Sequence, residues 1–155
     1  MNAQTNAKKI VHDEMNFWIG NWDLYWYEKD SLKATGENII SKFYNDNVIR
    51  EQFKVLTGSQ MGYEGSSWSM FDAPSGIWKQ TWVDNQGSYL DFVGGEEKGN
   101  RTFSKTNTKK DGTETTSRMV FKNVKKDSFV WDWETTNDGG KTWVNNWQIF
   151  YTRRK

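Results

Sequence analysis

Ile77-Trp78-Lys79-Gln80-Thr81-Trp82-Val83-Asp84 is followed at once by Asn85-Gln86-Gly87. Read with a period of two, the run puts Trp78, Gln80, Trp82 and Asp84 on one face and Lys79, Thr81 and Val83 on the other. That alternation predicts a β-strand, and the Asn-Gln-Gly behind it predicts a tight turn into a partner strand. The first face has the look of an enclosed one, yet two of its four side chains are polar.

Outward from this strand the pattern repeats. From Asn21 to Lys155, runs of roughly 8–12 residues rich in Trp, Tyr, Phe, Val, Ile and Thr alternate with turn signals. The turns are Asp30-Ser31, Asp46-Asn47, Thr57-Gly58, Pro74-Ser75-Gly76, Asn85-Gln86-Gly87, Gly94-Gly95, Asp111-Gly112, Lys126-Asp127 and Asn137-Asp138-Gly139-Gly140. They leave about nine or ten strands joined by short hairpins. A sheet of that size has long apolar edges, and closing it on itself removes them. The expected fold is all-β, a single closed antiparallel up-and-down barrel of about 8–10 strands. Ile10, Val11, Glu14 and Phe17 recur at near-helical spacing before Gly20, which predicts a short N-terminal helix over about residues 6–18 and a barrel over about 20–153. With no repeat, linker or change of composition along its 155 residues, the chain reads as one domain over 1–155.

Composition narrows the function classes. Lys and Arg number 21 against 20 Asp and Glu, so no whole-chain field draws the protein to polyanions, and no nucleic-acid partner is expected. There is no cysteine and His12 is the only histidine, so thiolate zinc sites, iron–sulfur clusters, multi-histidine metal sites and Cys-His or Ser-His-Asp catalysis fall away together. No metal and no cofactor are expected. Met1-Asn2-Ala3-Gln4-Thr5-Asn6-Ala7-Lys8-Lys9 lacks the apolar stretch of a signal peptide, and no segment approaches the roughly 20 apolar residues of a membrane span. The expectation is a cytoplasmic protein, monomer or homodimer, without membrane insertion. Ten Trp, 9 Phe and 6 Tyr in a chain only 35% hydrophobic mean a core built largely of rings.

The mixture of rings and polar groups on inward faces recurs. Glu51 shares a face with Phe53 and Val55, and period two aligns Trp143, Asn145, Trp147, Ile149 and Tyr151. A buried polar group without a partner costs about 1–3 kcal/mol, so a pure packing core favours aliphatic residues. A few polar groups among aromatic walls suit a pocket for a small hydrophobic or aromatic molecule. They also suit a filled barrel in which the polar groups pair with each other and with indole N–H donors. On the pocket reading, the rings that hold the ligand are Trp68, Trp78, Trp82, Trp131, Trp133 and Trp147, and the polar contacts come from Glu51, Gln80, Asp84, Arg118 and Tyr151.

Glu51 and Asp84 are also the candidates for catalysis, because a ring-lined cavity raises carboxyl pKa values toward those useful for general acid–base work. Against that stands simple pairing, for instance with Arg118. Gly58-Ser59-Gln60-Met61-Gly62-Tyr63-Glu64-Gly65 reads as a flexible loop at the barrel mouth, with Met61 and Tyr63 gating access, since no Gly-Lys-Ser/Thr follows to make it a phosphate loop. Thr136-Asn137-Asp138-Gly139-Gly140-Lys141-Thr142-Trp143 matches the Asp-box turn of sialidase-type propeller blades, but in a single copy. Its content is structural: Asp138 accepts backbone N–H bonds and Trp143 packs beneath the turn.

Phe17-Trp18-Ile19-Gly20-Asn21-Trp22 resembles the Gly-x-Trp opening of lipocalin-like, or calycin, barrels. The resemblance implies that Trp22 packs across the closed end under an arginine of the last strand, Arg153 or Arg154. Taken with Met70-Phe71-Asp72, the run from Trp78 to Gly87, the run from Asp138 to Trp143 and Tyr151-Thr152-Arg153, the chain resembles a bacterial domain-of-unknown-function family with a lipocalin-like barrel. That resemblance implies the fold and small-molecule binding, and it brings no general activity. Because calycin-like barrels also include enzymes, the alternative is a cyclase, isomerase, decarboxylase or hydrolase using Glu51 or Asp84 as acid or base.

Overall fold

Ten hairpin-linked strands pair each with its successor, and the last pairs with the first, so the sheet has no edge. The computed structural model describes residues 12–155. The strands are β1 (Gly20–Tyr27), β2 (Lys33–Phe43), β3 (Val48–Val55), β4 (Glu64–Asp72), β5 (Ile77–Asp84), β6 (Tyr89–Glu97), β7 (Asn100–Thr108), β8 (Glu114–Lys122), β9 (Ser128–Thr136) and β10 (Val144–Arg153). All pairings are antiparallel, and closure runs through Trp22 opposite Arg153 and Leu24 opposite Tyr151. The closed up-and-down barrel expected from the alternation is therefore the fold observed.

One end of the barrel is plugged. His12–Trp18 forms a 3-10 helix rather than the α-helix its spacing predicts, and residues 6–11 of that expected helix, like the side chain of His12, lie outside the described residues. Met15 and Trp18 are buried beneath the barrel floor, and Phe17 meets Phe121 and Phe129 edge-on. The carbonyls at the end of this helix are taken up by the barrel. The Trp22 indole donates to Trp18 O at 2.8 Å, while Arg153 donates to Ile19 O at 2.7 Å and to Phe17 O at 3.1 Å. The same guanidinium lies 4.2 Å over the Trp22 ring, the pair implied for Trp22 and an arginine of the last strand. Gly20 is required beside it: φ is +143°, and a Cβ there would sit 2.2 Å from Arg153 Nη1.

Two local expectations are corrected. Gly94-Gly95 is no turn but the middle of β6, and the hairpin turns instead at Lys98-Gly99, both with positive φ as a two-residue hairpin requires. Gly94 faces inward between Trp78 and Phe103, so its missing side chain makes room for rings. In β10 the register shifts between Asn145 and Trp147, which breaks the expected line of inward residues. Trp147, Ile149 and Tyr151 face in, whereas Asn145 is exposed and Trp143 precedes the strand on the outer side.

A Cβ at position 94 would approach Trp78 Cβ to 2.6 Å, whereas one at position 95 would meet only Thr102 Oγ1 at 3.2 Å. Gly94→Ala is therefore expected to cost about 1–3 kcal/mol in denaturant unfolding, and Gly95→Ala under about 1 kcal/mol.

Candidate functional site

The unplugged half of the interior is not filled. A cavity of about 330 Å³ lies between the walls and opens between the β3–β4 and β5–β6 loops. Its apolar wall comes from Phe53 of β3, Trp82 of β5, Leu90 and Phe92 of β6, Met119 of β8, Trp131 and Trp133 of β9, and Trp147 and Ile149 of β10. Gln60, Tyr63, Gln86 and Ser88 edge the mouth. Strand alternation explains the set: Met119, Trp133 and Trp147 stand directly across from one another along β8, β9 and β10, as do Trp131 and Ile149.

At the base of the cavity sits a buried polar cluster. Glu51 Oε1 accepts from Asn38 Nδ2 at 2.6 Å, Oε2 accepts from Ser67 Oγ at 2.6 Å, and Asn38 Nδ2 lies 3.1 Å from the Tyr151 hydroxyl. Asn38 and Ser67 face Glu51 from β2 and β4, so three adjacent strands and β10 meet here. Burial pushes the Glu51 carboxyl above its usual value, against the two hydrogen bonds that favour its charge. Burial, with the Glu51 charge beside it, pushes the Tyr151 hydroxyl up as well, so it stays protonated.

Asp84 reverses the expectation made for it. Burial again opposes its charge, but the Trp82 indole at 2.9 Å, the Ser88 backbone N–H at 3.0 Å and the Tyr63 hydroxyl at 2.9 Å outweigh that and hold the carboxyl well below the ordinary range. Asp84 is thus an ionised fastener. It ties the β5–β6 turn to its strand and draws Tyr63 across the mouth.

The remaining predicted residues divide cleanly. Trp82, Trp131, Trp133, Trp147, Tyr151 and Glu51 line the cavity and Asp84 stands at its rim. Gln80 is buried but lies below the cavity, bonded to Ser69 Oγ at 2.9 Å. Trp78 packs at the plugged end in a separate groove with Phe71 and Phe103. Trp68 and Arg118 are on the outer surface, because each neighbours an inward residue, Ser67 and Met119, along its strand. Trp68 stacks there on Tyr44, with Arg50 nearby. Arg118 pairs with Glu134 at 2.8 Å and with Glu97, and covers the Trp143 ring at 3.5 Å, so it reaches neither Glu51 nor Asp84. Lys122, Asp132 and Gln148 extend that outer network.

Alternation alone left out Asn38, Ser67 and Met119 as partners of the site, and it placed Phe53 on the inward face of Glu51 without marking it as a ligand contact. Asn38 carried a signal, since Ala34, Gly36, Asn38 and Ile40 share one face of a strand and only a neighbouring group satisfies an asparagine there. The Asp-box turn is structural as read: Asp138 accepts from the Thr142 N–H at 3.0 Å and the Thr142 hydroxyl at 2.6 Å, which lowers its carboxyl to about 2.

No protein-family model matches the sequence, and no curated protein is significantly similar to it. Among the described residues no cluster of three or more His, Cys, Asp or Glu side chains is placed to hold a metal, and no helix is long and apolar enough to cross a membrane.

A carboxyl raised in the folded state binds its proton more tightly than the unfolded chain does. Its contribution to stability is complete below the unfolded value of 4.5 and is lost as pH rises through the higher folded value. Urea unfolding across that range is expected to show a loss of up to about 1.4 kcal/mol per pH unit, which Glu51→Gln flattens. Asp84→Asn acts in the other window: it destabilises at neutral pH, because the ionised form it removes is stabilising above the ordinary aspartate value of 3.8 and is lost only in acid.

Proposed function

We propose that the protein is a lipocalin-like binding protein that holds a small hydrophobic or aromatic molecule in the open half of its barrel. One observation carries the reading: an unfilled, ring-lined cavity of about 330 Å³ ends on a hydrogen-bonded cluster of Glu51, Asn38, Ser67 and Tyr151. That volume falls at the small end of the range for ligand pockets, and rings with a few fixed polar groups supply contact area and orientation together. The Gly20 turn and the Arg153–Trp22 pair at the plugged end agree with the resemblance to lipocalin-like barrels.

A second reading keeps the same cavity and makes Glu51 a general acid. The observation that favours it is the burial of this one carboxyl, which keeps a proton available above the usual glutamate range. Asp84, fully hydrogen-bonded and ionised, has no part in it. Turnover of a bound compound that disappears in Glu51→Gln while binding survives would select this reading.

Native mass spectrometry of the protein from its host, with a denatured run beside it, is expected to release one stoichiometric compound. With the emptied protein, the neutral dye Nile red is expected to bind one-to-one with energy transfer from tryptophan. Leu90→Trp, which fills the upper cavity, is expected to weaken the dye at least about tenfold with little change in melting temperature. Unchanged dye binding in that variant would place the dye elsewhere.

A further inference from the structure

The charge of the cavity is one-sided. Its lining among the described residues carries two carboxyl groups, Glu51 at the base and Asp84 at the rim, and no Lys, Arg or His. Basic groups on the wall strands are engaged elsewhere: Arg118 and Lys122 pair with Glu134 and Asp132, and Arg50, next to Glu51 along β3, lies over the Phe43 and Trp68 rings. An anionic ligand such as a fatty acid would find no counter-charge here, and would meet the ionised Asp84 on its way in.

The rings above Glu51 are arranged as walls. Trp131 and Trp133 stand parallel, 8° apart with centroids at 6.3 Å. Trp147 is perpendicular to Trp131 at 6.1 Å, and Phe53 is perpendicular to Trp147 at 5.9 Å. All four rings line the cavity, and a ring face that a cation reaches attracts it through its quadrupole. Each Glu51 oxygen accepts one hydrogen bond from the protein, which leaves lone pairs on both for a further partner.

Resting on the ligand-binding reading above, we infer that the occupant is a lipophilic organic cation of the ammonium class, with its charged head among Trp131, Trp133, Trp147 and Phe53 and Glu51 as its counter-ion. The groups facing Glu51 leave it as the one that titrates. Asn38 and Ser67 are neutral, Tyr151 and Tyr63 are held protonated, and Asp84 stays ionised. Cation binding therefore strengthens as pH rises and Glu51 ionises, whereas binding of a neutral molecule of the same shape does not.

Three probes of near-equal shape test this by calorimetry on the full chain: (4-hydroxyphenyl)trimethylammonium, neutral 4-tert-butylphenol and anionic 4-tert-butylbenzoate. The cation is expected to bind at least about tenfold tighter than the phenol, the benzoate not at all, and the preference to grow with pH. Glu51→Gln is expected to remove the pH dependence and most of the preference. Should that variant not fold, the pH dependence of the wild-type preference decides alone. A phenol bound as tightly as the cation, or no cation binding, overturns the charge inference. The pocket reading then stands if Nile red still binds, and falls with it if Nile red does not.

Discussion

Closure of ten strands into one ring sets the interior's width, and the rest of the structure is a response to it. Around eight strands, a barrel is just wide enough for its own side chains to fill, and the diameter grows with each strand added. Ten strands leave more room than alternating side chains close, even when those side chains are tryptophans. The 3-10 helix closes one end, where Trp18, Trp22, Phe103, Phe121 and Phe129 are buried in edge and tilted contact with one another. Above that plug the walls stand apart.

A wide interior also explains why a carboxyl survives inside it. Buried in a close-packed core, Glu51 would have only its own hydrogen bonds to offset its desolvation. Here it lies where packing stops, held by Asn38 and Ser67 from below with its remaining capacity turned to the cavity. The two carboxyls of the site differ by environment alone: Glu51 is raised by burial, while Asp84 is held down by donors from an indole, a phenol and backbone N–H groups. One is left for a ligand, the other fastens the mouth.

The architecture and about half of the candidate site were legible in the sequence, because period-two alternation is read locally. It placed Trp82 and Asp84, Glu51 and Phe53, and Trp147 and Tyr151 on inward faces, as observed. It failed where a strand's phase changes or where depth along the barrel matters. The shift in β10 turned Asn145 outward, and neither Trp78 nor Gln80 reveals from its own strand that it sits below the cavity. Arg118 and Trp68 misled for another reason. This barrel carries a second, outer layer of rings and ion pairs, so an aromatic or an arginine in a strand is no marker of the interior. Asn38 and Ser67 join Glu51 only through the register of β2, β3 and β4, which alternation within one strand does not contain.

Xenon-pressurised crystals of the protein test the hollow upper barrel most directly, since xenon settles in apolar space that side chains leave open. A xenon site bounded by Met119, Trp133 and Trp147, above Glu51 and on the barrel axis, is expected. An interior with no xenon site, its tryptophans in van der Waals contact across the axis, would contradict it and make the barrel a filled core.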